Sequence, residues 1–338
     1  MGETMACLYN GCMSAKTHAP TVHAPPTRTR RSAPAARPPR EAARPPQVLK
    51  HLRIVSLALN LPGPAALMRL HAMGARCTKI EPPAGDPMAR YSPQAYADLH
   101  EGVKVQTLDL KTEPGCTALD KLLATTDVLL TSFRPSALQR LGLDASALAQ
   151  RLPALCSVRI VGDAGERAEL PGHDLTYLAE QGLITGTDLP ATLYADMAGS
   201  QQAVEAVLQC ALHRAATPAQ APAHGLHLTV GLAQAAAYLA LPRRWALTAP
   251  RAVIGGAHAG YQVYACRDGR VAIAALEPHF GACLCKAVGL PVEAGEITRA
   301  LTQPAARQHI ANFMAGLSRT EVEKLARLYD LPLHVLGD

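Results

Sequence analysis

The sequence predicts an α/β protein, with a Rossmann-like, doubly wound, mainly parallel sheet and a smaller α+β domain after it. Three observations predict this class. Between residues 52 and 160, short apolar runs of strand length alternate with helical stretches, the pattern of parallel strands joined by crossover helices. Glycine and proline stand between the runs, where strand must turn into helix. Beyond residue 215 the alternation gives way to two strand-like runs flanking a tight turn.

In chain order, Arg53-Ile-Val-Ser-Leu-Ala-Leu59 is a buried-strand run, followed by Pro62-Gly63-Pro64 and a helix through Met73 that Gly74-Ala75 closes. Arg76 to Glu81 is the second strand. Val103 to Leu110 is the third, ahead of a helix ending near Thr125. Asp127 to Phe133 is the fourth, followed by helical segments up to Leu152, and Leu155 to Ile160 is the fifth. Pro171-Gly172-His173-Asp174 then reads as a sharp turn delivering a histidine and an aspartate to the start of a helix. Asp174 is the expected N-cap and Gly182 the stop. Asp196 is expected to begin the next helix, with Val204, Val207, Leu208, Ala211 and Leu212 as its apolar face. The small Ala198 and Gly199 would let a ligand approach its backbone.

After a Pro/Ala-rich break, Tyr261–Cys266 and Arg270–Leu276 flank Arg267-Asp268-Gly269 as a hairpin. Glu277-Pro278 and a helix from His279 to Val288 follow, and Arg319 to Tyr329 is a charged amphipathic helix. The expected division is a basic tail over residues 1–49, a large domain over 50–215, and a linker with the small domain over 216–318. A C-terminal helix over 319–338 is expected to return toward the large domain.

Composition narrows the function. The formal net charge of +6 is misleading, because residues 1–49 hold seven basic side chains against Glu3 and Glu41. The remainder is close to neutral and does not call for nucleic acid. The same segment carries eight prolines and no apolar periodicity, the composition of a disordered tail, although an Arg-rich organellar transit sequence has a similar make-up. The nine cysteines are scattered without a C-x-x-C pair, so reduced thiols are expected, with no metal site and no disulfide framework. No apolar run is long enough to span a bilayer. A cytoplasmic protein is expected, since the chain ends Leu336-Gly337-Asp338 and not in a peroxisomal tripeptide.

A doubly wound sheet binds its ligand at the carboxyl ends of its strands. A dinucleotide is disfavoured there, because the first turn reads Asn60-Leu-Pro-Gly-Pro-Ala65 and its prolines remove N–H donors that a pyrophosphate needs. His173 and Asp196 stand instead as acid–base groups at two helix starts, where amide groups and the helix dipole favour an anion or enolate oxygen.

Colinear motifs over residues 50–338 resemble the family III CoA-transferase superfamily, most closely its α-methylacyl-CoA racemase branch. They are Pro62-Gly63-Pro64, Gly74-Ala75 with Lys79-Ile-Glu-Pro-Pro83, Leu108-Asp-Leu-Lys111, and Asp127 through Pro135 with Leu138 through Leu143. Gly172-His-Asp174 with Tyr177, Ala195-Asp196, Gly255-Gly-Ala257, and Asp268-Gly-Arg270 running into Ala275-Leu-Glu-Pro278 complete the set. The resemblance implies that His173 and Asp196 are the catalytic pair and that Glu277 partners the histidine. It also implies that Arg134 and Arg140 contact CoA phosphates, and that Asp174 and Tyr177 neighbour the thioester. Lys104 stands where relatives often carry an arginine near CoA.

The activity so implied is racemisation of 2-methylacyl-CoA thioesters. One base removes the α-proton while the other group returns a proton to the opposite face, and CoA is needed only as the carrier of the acyl group. The alternatives are a CoA-transferase in which Asp196 forms an acyl anhydride, and a diverged, non-catalytic acyl-CoA-binding protein. The resemblance further implies an interlocked homodimer. The chain departs from the pattern at Ile160–Arg167, which replaces a glycine-rich loop, in a shortened stretch between His173 and Asp196, and at Pro218–His224.

Overall fold

The structure, a computed structural model, describes residues 46–217, 224–293 and 295–336. Expectations for residues 1–45, for most of Pro218–His224 and for the last two residues lie outside the described residues.

The larger layer begins with β1 (Arg53–Ser56), α1 (Pro62–Ala72), β2 (Arg76–Glu81), α2 (Met88–Tyr91), α3 (Pro93–Leu99) and β3 (Lys104–Thr107). It continues through α4 (Glu113–Leu123), β4 (Val128–Thr131), α5 (Pro135–Leu141), α6 (Ala145–Arg151), β5 (Cys156–Val161), α7 (Asp174–Glu180) and α8 (Tyr194–Ala216). Then come β6 (His227–Gly231), α9 (Leu232–Leu239) and the short α10 (Leu241–Arg244). The six strands pair in the order β3-β2-β1-β4-β5-β6, every pair parallel. Strand order reverses between β1 and β4, and a doubly wound sheet opens its ligand crevice at that reversal.

Side-chain alternation divides the core between the two faces of the sheet. Ile54, Cys77, Val128, Leu130, Cys156 and Val158 pack with Leu67 and Leu70 of α1 and with Val204, Val207 and Cys210 of α8. Val55, Leu57, Ile80 and Leu129 pack on the other face with Leu119 and Leu123 of α4 and with Leu138, Leu143 and Leu148 around α5 and α6. At the amino ends of the strands, buried Asp127 receives Arg53 Nε at 3.3 Å and Arg214 at 2.7 Å, and Arg214 also donates to the Ala154 carbonyl at 2.6 Å. The far end of α8 is therefore fastened to the sheet.

The smaller layer is an antiparallel sheet in the order β7-β8-β9, from β7 (Tyr261–Cys266), β8 (Gly269–Ala274) and β9 (Leu333–Leu336). Four helices accompany it: α11 (Pro278–Ala287), α12 (Ile297–Leu301), α13 (Pro304–Ala315) and α14 (Arg319–Tyr329). Val271 and Ile273 pack against Leu284, Leu301, Ile310, Met314 and Val322 from these helices.

Several expectations need correction. The boundary at residue 215 falls too early, because β6 and α9 belong to the parallel sheet, with β6 completing its edge beside β5. The described part of the C-terminal segment, expected to return toward the larger layer, is built into the smaller one. Val322 of α14 is buried in the small core, and β9 adds a third strand beside β8. His173, not Asp174, occupies the N-cap of α7, and Asp196 is the third residue of α8, after Tyr194 and Ala195. Leu212 is 70% exposed and lies off the packed stripe of α8. Gly199 does not open the backbone to a ligand: it is buried, and a Cβ there would run into Leu232 of α9, so its small size serves helix packing.

Candidate active site

A cavity of about 790 Å³ opens at the carboxyl ends of β1, β4 and β5. Its walls are the Leu59–Pro62 turn after β1, Ser132–Arg134 after β4, Ile160–Gly162 at the end of β5, the Leu170–Leu175 segment, and Leu193 and Asp196 at the start of α8. The volume suits a drug-sized or cofactor-sized ligand. A second, mainly apolar cavity of about 370 Å³ shares Leu59 and Phe133 with it and is lined by Lys111 and Arg140.

His173 is exposed at the mouth. Its backbone N–H donates to Thr176 Oγ1 at 3.1 Å, which fixes the turn at the start of α7. Gly172 just before it is needed for space, because a Cβ there would stand 2.6 Å from the Tyr177 hydroxyl. Asp174 is buried, and its Oδ1 accepts the Asp196 backbone N–H at 3.0 Å. That bond ties α7 to the first turn of α8 and brings two carboxylates together. Burial first, and the Asp174 charge second, raise the Asp196 carboxyl to about 6, while His173 acts in the opposite direction. Burial and the Asp196 carboxylate also raise the Tyr177 phenol, and the Arg134 charge lowers it. His173, Asp174, Tyr177, Asp196 and Arg134 thus share one cavity.

The structure separates the remaining expected residues. Arg140 lines the second cavity. Lys104 is not at the site: it opens β3, so it sits at the amino end of an edge strand, away from the carboxyl ends that build the cavity. The expected third strand, Val103 to Leu110, already put Lys104 near its start. Glu277 is the exposed N-cap of α11 in the smaller layer and is not among the residues lining either cavity.

Sequence reasoning missed Asn60, Tyr91 and Lys111 as lining residues. Asn60 has a left-handed φ of 62°, a conformation asparagine tolerates better than most residues. An asparagine at the end of a strand, ahead of Leu-Pro-Gly, was the available signal. The Tyr91 hydroxyl meets Asn60 Oδ1 at 3.5 Å, and the charges of Asp86 and Asp196 add to its partial burial in raising its phenol.

Buried near this wall, Lys79 Nζ contacts Asp86 Oδ2 at 2.5 Å, His100 Nε2 at 2.8 Å and Glu81 Oε1 at 3.1 Å. The three acceptors form a group able to hold a cation, and the lysine ammonium already bonds to each of them.

A doubly wound parallel sheet with a cofactor-sized site at its strand reversal is the class that fold and cavity together describe. Residues 49–338 match the family model described as CoA-transferase family III, and the chain belongs to that family. Among curated relatives, it is 29% identical to the human alpha-methylacyl-CoA racemase over 72% of this chain and 65% of that one. It is 28% identical to a probable fatty acyl-CoA transferase of Mycobacterium tuberculosis over 73% and 70%. Identity to the cinnamoyl-CoA:phenyllactate CoA-transferase of Clostridium sporogenes is 32%, over 55% and 49%. The chain thus spans about two thirds of the human racemase's length. Among solved structures, a hypothetical protein from Mycobacterium tuberculosis superposes with a TM-score of 0.72 at 24% identity, covering 87% of this chain and 85% of that one. A CAIB/BAIF family protein from Brucella suis gives 0.68 at 22%, covering 85% and 83%. Both share the fold.

Proposed function

We propose that the protein racemises 2-methylacyl-CoA thioesters by two-base proton transfer. The observation that carries this reading is the meeting of His173 and Asp196 in one cavity, with the Asp196 carboxyl raised to about 6. In one direction neutral His173 takes the α-proton as protonated Asp196 supplies the other face. In the reverse direction their protonation states are exchanged. Thr176 and Tyr177 amides already donate to the His173 carbonyl, so the enolate oxygen would rest on the earlier amides of that turn. The CoA portion would run over the carboxyl ends of β1 and β4. Arg134 and Arg140 would receive its phosphates, since guanidinium groups bind phosphate bidentately, and Lys111 supplies a further positive charge in the second cavity. The acyl chain would lie among Met88, Tyr91, Leu170 and Leu193.

Glu277 would complete the site from the second chain of an interlocked homodimer, which is compatible with its not lining either cavity within one chain. The test is incubation with a (2R)-2-methylacyl-CoA in heavy water. Incorporation of α-deuterium with inversion supports the proposal; its absence at saturating substrate removes it.

A second reading is favoured by the transferase relatives and by the placement of Asp196 itself. As a nucleophile, its carboxylate would attack the thioester carbonyl and expel CoA thiolate to form a mixed anhydride. An acceptor carboxylate would then displace the first acid from it, and the retained thiolate would attack the new anhydride to give the product thioester and free Asp196. Transfer of CoA to an added carboxylic acid, retained in His173→Ala, identifies this activity. Tight CoA binding with neither exchange nor transfer leaves a non-catalytic acyl-CoA-binding protein.

A further inference from the structure

The wall of the cavity that carries Asn60 and Tyr91 rests on a buried ionic cluster. Lys79 is fully buried, and Asp86, Glu81 and His100 are 1%, 6% and 8% exposed. His100 Nδ1 lies 2.6 Å from the Tyr96 carbonyl, which can only accept, so the proton is on Nδ1 and Nε2 accepts from the Lys79 ammonium. Glu81 receives Lys79, the Tyr96 hydroxyl at 2.8 Å and the Asp86 amide at 3.2 Å. The cluster is therefore one cation, two carboxylates and a neutral imidazole, with net charge −1.

Such a cluster is a poor way to gain stability, because the desolvation of buried charges offsets most of their attraction and apolar packing does as well or better. Its geometry is more informative. Both oxygens of Asp86 point at chain that lines the cavity. Oδ1 and Oδ2 accept the Asn60 amide at 3.2 and 3.1 Å, and Oδ1 accepts the Met88 amide at 2.9 Å. One carboxylate thus holds the left-handed Asn60 and the first turn of α2, the helix that ends at Tyr91. Asn60, Met88 and Tyr91 share the cavity with His173 and Asp196.

We propose that Asp86 is a positioning residue for this site. Clamped by the Lys79 ammonium, it sets the Asn60 turn and the Tyr91 helix as one rigid wall against which the acyl-CoA is held. The inference rests on the acyl-CoA reading for its ligand, but not for its geometry. The clamp acts through ground-state and transition-state binding alike, so its loss belongs in KM and not in kcat.

The experiment compares wild type with Asp86→Asn, which keeps the size and one acceptor oxygen but removes the charge facing Lys79. Turnover is measured as α-deuterium exchange, and backbone hydrogen exchange is followed by mass spectrometry. The expected result is a KM for the acyl-CoA raised about ten-fold with kcat within two-fold, and exchange in peptides covering 57–62 and 86–92 accelerated at least ten-fold. Peptides covering 128–131 and 156–161 remain as in wild type. A fall in thermal stability with unchanged KM and unchanged exchange in those two segments overturns the proposal. Should Asp86→Asn not fold, Lys79→Ala serves, with propylammonium supplied to replace the lost cation. Recovery of KM and of segment protection by propylammonium, but not by propanol, supports the clamp; equal recovery by both, or by neither, overturns it. The exchange readout requires no turnover. A wild-type protein without activity but with deprotection confined to these segments in the variant would therefore refute the functional reading while leaving the clamp in place.

Discussion

Asp196 is held where its charge is unfavourable. Its folded-state pKa of about 6 lies above the ordinary 3.8, so the folded protein binds this proton more tightly than the unfolded chain does. The sign follows directly. The charge imposes no cost below pH 3.8, where both states are protonated. The cost grows as pH rises toward 6 and is constant above it, on the order of 2–3 kcal/mol. Asp196→Asn removes the charge, so the variant should melt at a higher temperature than wild type at pH 8. The gap should close near pH 3.5 in a thermal denaturation series. The same substitution should lower α-proton exchange by at least about a thousand-fold, since general acid–base groups contribute factors of this order. In the direction that needs protonated Asp196, the exchange rate should fall as pH rises through 6. A rate that is flat between pH 5 and 8 would remove Asp196 from that role. Arg140→Gln should raise KM for the CoA thioester by about ten-fold, one charge-assisted contact being worth roughly 1.5–3 kcal/mol, and should leave kcat nearly unchanged.

Elements explain which residues were legible in the sequence. Of the first five strands, β1, β4 and β5 could be read as largely apolar runs, and β2 and β3 from the glycines that precede them; His173 and Asp196 could be read because the motifs around them are local. β6 escaped notice because His227-Leu-Thr-Val-Gly231 is short, half-exposed and preceded by a Pro/Ala-rich stretch that reads as a boundary. β9 is four residues long and makes sense only beside β8. Asn60 and Tyr91 acquire their positions from the Lys79 cluster, a tertiary arrangement that no spacing reveals. Gly199 shows the same limit: the small residues after Asp196 read as room for a ligand, but the space belongs to Leu232. Gly199→Ala gains up to about 1 kcal/mol in helix propensity, and the overpacking costs a comparable amount. The melting temperature should therefore move little. Leu232 lines the cavity, so its displacement should appear in KM, raised several-fold in exchange assays.

At the scale of the whole molecule, the proposed interlocked dimer makes a test that one chain cannot pass alone. Asp196→Asn and Glu277→Gln subunits, each nearly inactive as homodimers, should regain about one quarter of wild-type activity after mixing and refolding. Random pairing makes half the dimers mixed, and each mixed dimer restores one of its two sites. A site completed within a single chain gives no recovery. That Glu277 caps α11 in the smaller layer and does not line the cavity is the observation behind this test.

The two ends of α8 carry a last consequence. Its first turn is fixed by the Asp196 amide on Asp174, and its last by Arg214 on Asp127 and the Ala154 carbonyl. The stretch of α8 from Asp196 to Arg214 therefore acts as a gauge block whose length sets the bearing of the Asp196 carboxylate. Adding one residue near Gln209, on the exposed side, would turn one end against the other by about 100° and lengthen the helix by about 1.5 Å. Drift that a surface loop absorbs would here point the carboxylate away from the α-carbon. Substitutions along this helix are cheap wherever packing permits, whereas changes in its residue count are forbidden, and single-residue insertions should give folded protein without proton exchange.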